Sequence, residues 1–113
     1  MVALAGGDLL SLENILQGDD AGASETVIRI YHVSIAGATD VSAQEFFSGL
    51  KGREYQPVGK RLLIELRLGG TESNYEGMCM GPRLANGDYS LLLVRDNNTG
   101  SDQSIHALRL QLN

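Results

Sequence analysis

Turn-forming residues interrupt this chain so often that no long helix fits between them. Glycine, asparagine and aspartate are the residue types that most readily adopt the backbone conformations of tight turns. They cluster at six places, namely GGD at Gly6, GDDAG at Gly18, AGATD at Ala36, GG at Gly69, ANGD at Ala85 and DNNTGSD at Asp96. The chain is therefore expected to fold from short elements joined by turns.

The segments between these turns are short and rich in Leu, Ile and Val, which is typical of β-strands. Strands are predicted at residues 9–14, 26–35, 60–68, 76–80, 90–94 and 105–112. In KRLLIELRL, alternation places the apolar residues on one face, and Arg61, Glu65 and Arg67 lie mostly on the other. SLLLV is apolar at four successive positions, which predicts a strand that is covered on both faces.

One helix start is predicted in the sequence VSAQEFF. Ser42 can cap the helix, and Glu45, three residues later, can complete a capping box. Gly49 and Gly52 would end this helix after little more than two turns.

Six or more short antiparallel strands indicate a β-sandwich, a barrel or part of a β-propeller. A propeller blade takes about 40 to 50 residues, so 113 residues would hold about two four-stranded blades. The predicted blades are residues 1–68, with the helix as an insertion, and residues 74–113. Two blades do not close a ring, and the predicted fold is therefore an all-β fragment of a larger propeller.

The composition excludes several classes of partner. The net charge is −5, and the nine Lys and Arg residues are scattered, which argues against binding to nucleic-acid phosphates. No apolar run approaches the roughly 20 residues of a membrane-spanning helix. Cys79 is the only cysteine, so a disulfide within the chain and a thiolate zinc cluster are excluded. In the string GMCMG it is expected to be a buried thiol.

One segment carries a specific resemblance to a known family. NYEGMCMGPRLANGDYSLLLVRDNN, residues 74–98, resembles the motif N-I-E-G-M-A-x-G-P-R-L-x-D-G-R-x-x-L-x-L-V-S-D-N-N of the phytase-like family, described as esterase-like activity of phytase. GDLLSLEN, VIRIYHVSIAGATDVS and KRLLIEL resemble other strands of that family. This chain departs from the pattern at Tyr75, where the family has an aliphatic residue, at Arg95, where it has a serine, and at Asn14, where it has a basic residue.

The resemblance covers nearly the whole chain but only the C-terminal part of a family domain. It implies a β-propeller and hydrolysis of phosphate esters. The chain is accordingly expected to be a fragment whose partners are a phosphate-ester substrate and the remaining blades of the ring, and to be inactive on its own.

Two acidic clusters bracket one predicted hairpin. Glu76 stands at the start of a strand beside Gly77, which would let the backbone crowd around a channel, and Asp96 ends the neighbouring strand. Carboxylates and amide carbonyls are the ligands that calcium selects. We expect calcium or another divalent cation to be held by Glu76, Asp96, Asn97 and Asn74, with Glu13 as a further candidate. Glu76 and Asp96 would be the catalytic pair, and Arg83 and Arg95 would bind the ester oxygens.

Other readings of the same residues stay open. Glu76 can instead pair with Arg95 or Arg83, and the DNN sequence can cap a turn through its own backbone. The whole assembly can also be a non-catalytic, ion-binding propeller that serves as an interaction module. His32 and His106 are interpreted as half-buried strand histidines rather than as acid-base catalysts.

Overall fold

Among the residues that the structure describes, almost all regular structure is β-strand. The computed structural model describes residues 1–18, 22, 24–69, 74–96 and 104–112. The strands are β1 (Val2–Ala3), β2 (Leu9–Gly18), β3 (Ser24–Ser34), β4 (Gly59–Gly69), β5 (Tyr75–Arg83), β6 (Tyr89–Arg95) and β7 (Ile105–Leu110). All six predicted strands are present, and the all-β prediction is confirmed. Within these ranges no helix has the length and apolar character needed to cross a bilayer.

The strands form two antiparallel sheets. The N-terminal sheet has the order β1-β2-β3-β4, and the C-terminal sheet has the order β5-β6-β7. The sheets are not closed on themselves, and their arrangement as blades of a ring stays a prediction, as does the division of the chain into two blades. Among the described residues the C-terminal sheet has three strands rather than the predicted four.

The hydrophobic core lies between the facing surfaces of the two sheets. Its buried residues are Leu10, Ile28 and Ile30 from the N-terminal sheet and Tyr75, Leu91, Leu93 and Leu110 from the C-terminal sheet. Fully burying an aliphatic side chain stabilises a fold by about 1.5 to 3 kcal/mol. This shared cluster therefore holds the sheets face to face.

Each sheet begins with the same hairpin turn. In LAGGD the backbone nitrogen of Leu4 donates to the carbonyl oxygen of Asp8 at 2.8 Å, and in LANGD that of Leu84 donates to Asp88 at 2.8 Å. The glycine before each aspartate has a positive φ, of 95° and 89°, which a side chain would disfavour. The two sheets thus share a repeated sequence and geometry at one end.

One face of the C-terminal sheet is open. Leu91 and Leu93 are 1% and 0% exposed, but Leu92 is only half-buried and Val94 is 42% exposed. The prediction that SLLLV is covered on both faces is therefore wrong, because the core forms on one side only. Cys79 lies opposite Leu92 and is exposed, contrary to the expectation of a buried thiol. The Cα radius of gyration, 17.1 Å, is likewise larger than the roughly 13 Å of a compact domain of 100 residues.

A bulge changes which side chains of β4 face the core. The pairing of β3 with β4 shifts so that Leu63 is an extra residue, and such an insertion reverses the alternation on one side of it. Leu62 is consequently 46% exposed, and Arg61 lies opposite His32 on the face directed toward the C-terminal sheet. The predicted alternation is correct for the residues that follow the bulge and wrong for those that precede it.

The predicted capped helix does not form. A single 3-10 turn, Gln44–Phe46, follows Ala43, which makes no side-chain cap. The backbone nitrogen of Ser42 instead donates to Oδ1 of Asp40 at 2.9 Å, and this hydrogen bond holds the pKa of Asp40 below its usual value. The segment is too short to offset the cost of starting an α-helix, so the local turn prevails.

Candidate functional site

Three of the predicted site residues meet where β5 begins and β6 ends. The backbone nitrogen of Asp96 donates to the carbonyl oxygen of Asn74 at 2.8 Å. The side-chain Nδ2 of Asn74 donates to Oε1 of Glu76 at 2.6 Å. Asn74 therefore contacts the backbone of Asp96 and the side chain of Glu76 at the end of the sheet where β5 begins and β6 ends.

Asn14, from the N-terminal sheet, contacts the same end of the C-terminal sheet. Its Nδ2 donates to the carbonyl oxygen of Tyr75 at 2.6 Å and lies 3.5 Å from Oδ1 of Asn74. No pattern in the sequence groups Asn14 with Glu76, since the two belong to different sheets. Together the four residues Asn14, Asn74, Glu76 and Asp96 form what we call the amide–carboxylate cluster.

A bulge directs Glu76 outward. The pairing of β5 with β6 moves from Tyr75 opposite Arg95 to Gly77 opposite Val94, so Glu76 is the extra residue. Tyr75 is 2% exposed, whereas Glu76 is exposed. A Cβ atom at Gly77 would lie 3.2 Å from Cβ of Val94, so glycine permits the close approach of β6. The crowding expected at Gly77 thus comes from the neighbouring strand.

Tyr75 fixes the strand behind the cluster. Its hydroxyl lies 3.0 Å from each of the two ring nitrogens of His106 and 3.5 Å from Oγ of Ser104. The two rings also contact each other, with centroids 5.0 Å apart. His106 is exposed rather than half-buried, and its partner is a phenol. This contact ties β7 to the start of β5.

The two arginines that were predicted to bind the substrate lie at opposite ends of the β5–β6 pair. Arg95 precedes Asp96 and lies opposite Tyr75, at the same end as the cluster. Arg83 ends β5, seven residues beyond Glu76, which in an extended strand is about 23 Å away. The structure therefore does not bring Arg83 to Glu76, either as a phosphate ligand beside it or as its ion-pair partner.

The remaining predicted ligands are not part of the cluster as described. Glu13 forms an ion pair with Lys60, whose Nζ lies 4.2 Å from the centroid of the Tyr31 ring. These residues occupy the face of the N-terminal sheet directed away from the C-terminal sheet, since Leu12 on the other face packs against the core. Asn97 lies outside the described residues.

The cluster offers a partial set of ligands for a hard cation. No group of three or more His, Cys, Asp or Glu side chains within reach of one metal ion occurs in the part of the chain that the structure describes. The cluster does hold two carboxylates and two amides, which are oxygen donors suited to calcium. Oε1 of Glu76 accepts the hydrogen bond from Asn74, and Oε2 has no hydrogen-bond partner among the described residues. The donor chemistry fits a cation, and further ligands are needed to complete its coordination.

A network of ion pairs lies elsewhere, on the outer face of the N-terminal sheet. Glu65 contacts Arg29 at 2.8 Å and Arg67 at 2.8 Å, and Arg67 also contacts Glu25 at 3.3 Å. The hydrogen bonds that Glu65 accepts from Arg29 and then Arg67 lower the pKa of Glu65, and the bond that Arg29 donates to Glu65 raises the pKa of Arg29. All the carboxylates here are paired, so this network is structural.

A cavity of about 600 Å³ lies at the opposite end of the sheets, beside the two repeated turns. Arg83 lines it together with Arg61, His32 and Asp8, and Nε2 of His32 is 3.1 Å from Oδ2 of Asp8. Sequence reasoning treated His32 as an isolated strand histidine and did not group these residues. The usable signal was the repeat of LAGGD in LANGD, which gives Asp8 and Asp88 equivalent positions.

A family model described as "Phytase-like: Esterase-like activity of phytase" matches residues 1–99. Searches of curated proteins and of solved structures found no match.

Proposed function

The chain belongs to the phytase-like family, and from this premise we propose that it contributes Glu76 and Asp96 to a centre for metal-assisted hydrolysis of phosphate esters. The observation that carries the proposal is the double role of Asn74. Its carbonyl oxygen accepts from the backbone of Asp96, and its side chain donates to Glu76. The backbone of Asp96 and the side chain of Glu76 are thereby held beside one residue, and Oε2 of Glu76 has no hydrogen-bond partner among the described residues.

A divalent cation such as calcium, when bound, polarises a phosphoryl oxygen and activates water. Glu76 and Asp96 would hold the cation, with Asn74 and Asn97 as further oxygen ligands. Asn74 would also orient Glu76 through its hydrogen bond. Arg95, at the same end of the sheet, would bind ester oxygens as a charged donor.

Other parts of a ring would complete this centre. Calcium takes about six to eight oxygen ligands, more than the cluster offers. The open face of the C-terminal sheet, with Val94 42% exposed, is a surface on which another blade could pack. We therefore expect the remaining blades to be partners of this chain in hydrolysis.

The test is hydrolysis of p-nitrophenyl phosphate with and without calcium, in the 113-residue chain and in the longest product of the same reading frame. Glu76→Gln removes a carboxylate charge while keeping the size of the side chain. Glu54→Gln, at an exposed loop position, is the matched control. We expect calcium-dependent turnover in the longer product, a loss of at least about 100-fold with Glu76→Gln, and no change with Glu54→Gln.

Equal rates in the two variants would contradict the role of Glu76. Turnover by the 113-residue chain alone would contradict the need for further blades. The second candidate is a non-catalytic, ion-binding module, in which the same carboxylate and amide groups of the amide–carboxylate cluster would hold an ion. It predicts that calcium raises the unfolding temperature in a Glu76-dependent manner without any turnover.

A further inference from the structure

The cavity between the repeated turns has a distinct charge pattern. Two aspartates, one histidine and two arginines line it: Asp8, His32, Arg61, Arg83 and Asp88. Asp8 pairs with His32 at 3.1 Å. Asp88 accepts a hydrogen bond from Asn86 at 2.8 Å and lies 3.5 Å from Arg109. Both carboxylates in the cavity wall are therefore already engaged.

Neither arginine of the cavity has an acidic partner in the part of the chain that the structure describes. Arg61 makes no hydrogen bond or ion pair with the residues that the structure describes. Arg83 donates from Nε to the carbonyl oxygen of Gly87 at 3.0 Å, which is a neutral acceptor, and its guanidinium carbon lies 5.3 Å from the centroid of the Tyr89 ring. These contacts hold Arg83 in place and leave its terminal nitrogens without a described partner. The cavity thus offers guanidinium N–H donors that have no partner among the described residues.

Bulges place both arginines there. The extra residue Leu63 in β4 turns Arg61 toward the C-terminal sheet. A second irregularity, between Met80 and Arg83, brings Arg83 opposite Tyr89. Bulges are known to redirect side chains toward functional sites. The two cations come from different sheets, about 20 residues apart in sequence, and both depend on a local break in strand pairing.

The remaining lining is apolar. Leu4, Met80 and Leu112 contribute aliphatic surface, and Tyr89 contributes an aromatic ring. A volume of about 600 Å³ falls in the range of sites for small organic molecules. The cavity can therefore accommodate an organic group as well as an anion.

We propose that this cavity binds a phosphate monoester, with its phosphate on Arg61 and Arg83 and its organic group against Tyr89 and Leu4. Planar guanidinium groups bind phosphate through paired hydrogen bonds, which suits two arginines without carboxylate partners. The site lies at the far end of β5 from Glu76. It is separate from the proposed hydrolytic centre and requires no metal ion.

The test is a titration of the ¹⁵N-labelled chain with phenyl phosphate, followed by amide chemical shifts, in EDTA and at constant ionic strength. We expect saturable shifts at Asp8, His32 and Gly87. The double variant Arg61→Gln/Arg83→Gln should weaken binding at least about tenfold, since each arginine loses charge-assisted hydrogen bonds. Arg67→Gln, at the other end of β4, should bind as the wild type does.

Further variants and ligands make the result specific. Arg61→Lys keeps the charge but not the paired donors, so it should bind more tightly than Arg61→Gln and less tightly than the wild type. Inorganic phosphate should bind several-fold more weakly than phenyl phosphate, because it lacks a group to contact Tyr89. Dispersed amide spectra of all variants establish that they are folded.

Three results would overturn the proposal. They are shifts that grow linearly without saturation, equal affinity in the wild type and the double variant, and equal affinity for inorganic and phenyl phosphate. Because EDTA is present throughout, none of these results depends on whether Glu76 binds a cation.

Discussion

Leu93→Ala should destabilise the chain far more than Val94→Ala, although the two residues are neighbours on β6. Leu93 is 0% exposed and belongs to the core between the sheets, whereas Val94 is 42% exposed on the open face. Replacing a core leucine by alanine costs about 2.7 to 5 kcal/mol, because apolar contact is lost and a cavity remains. We expect about 3 kcal/mol for Leu93→Ala and less than about 1 kcal/mol for Val94→Ala.

Urea unfolding followed by far-ultraviolet circular dichroism measures both values. If Leu93→Ala does not fold, Leu93→Val gives the same test at lower cost, with an expected loss of about 1 kcal/mol for one methylene group. The m value of Val94→Ala should equal that of the wild type, since the same surface is exposed on unfolding. Equal losses at the two positions would refute the reasoning, because they would mean that both faces of β6 are packed.

Two further predictions concern stability. The hydrogen bond from Arg29 lowers the folded-state pKa of Glu65 below its ordinary 4.5, so the ionised Glu65 carboxylate stabilises the fold above pH 4.5. This contribution to the free energy of unfolding is lost as the pH falls through the folded-state pKa. Glu65→Gln should therefore lower stability at pH 7 and flatten its decline in acid, and parallel pH profiles from urea unfolding would contradict this. Gly81→Ala would place a Cβ atom near Oγ of Ser90, which is fixed by its bond to the carbonyl of Pro82. Gly81→Ala should lower the free energy of unfolding by about 1 to 3 kcal/mol, and by less in a Ser90→Ala background. Thermal unfolding measures this loss, and an unchanged melting temperature would count against the close contact.

The strands could be predicted because their signals are local. Turn residues mark the ends of each strand, and apolar residues mark its interior, so all six predicted strands appear. The faces were harder to predict, since they depend on how each strand pairs with its partner. The extra residue Leu63 is invisible in the alternation of KRLLIELRL, yet it moves Arg61 to the core-facing side and exposes Leu62.

The predicted helix shows a related limit of local reasoning. Ser42 and Glu45 have the spacing of a capping box, but the backbone of Ser42 is already bonded to Asp40. The helix propensity of the segment did not determine its structure, because a helix of about two turns gains little stability without packing. No residue of the 3-10 turn is buried.

The candidate site was predictable where it lies within one hairpin. Asn74, Glu76 and Asp96 converge because β5 and β6 are adjacent in sequence and antiparallel. Arg83 lies far from Glu76 because a motif that is continuous in sequence spans the whole length of a strand. Asn14 was missed because it comes from the other sheet, and no pattern within one strand reports which sheets face each other.

The most direct test of the central claim is luminescence of terbium bound to the 113-residue chain. Terbium binds at calcium sites, and the phenol of Tyr75, next to Glu76, can transfer energy to it. The account predicts saturable luminescence that calcium displaces, that Glu76→Gln abolishes and that Glu54→Gln leaves intact. Equal terbium affinity in the Glu76→Gln variant and the wild type would contradict the claim that the amide–carboxylate cluster holds a cation.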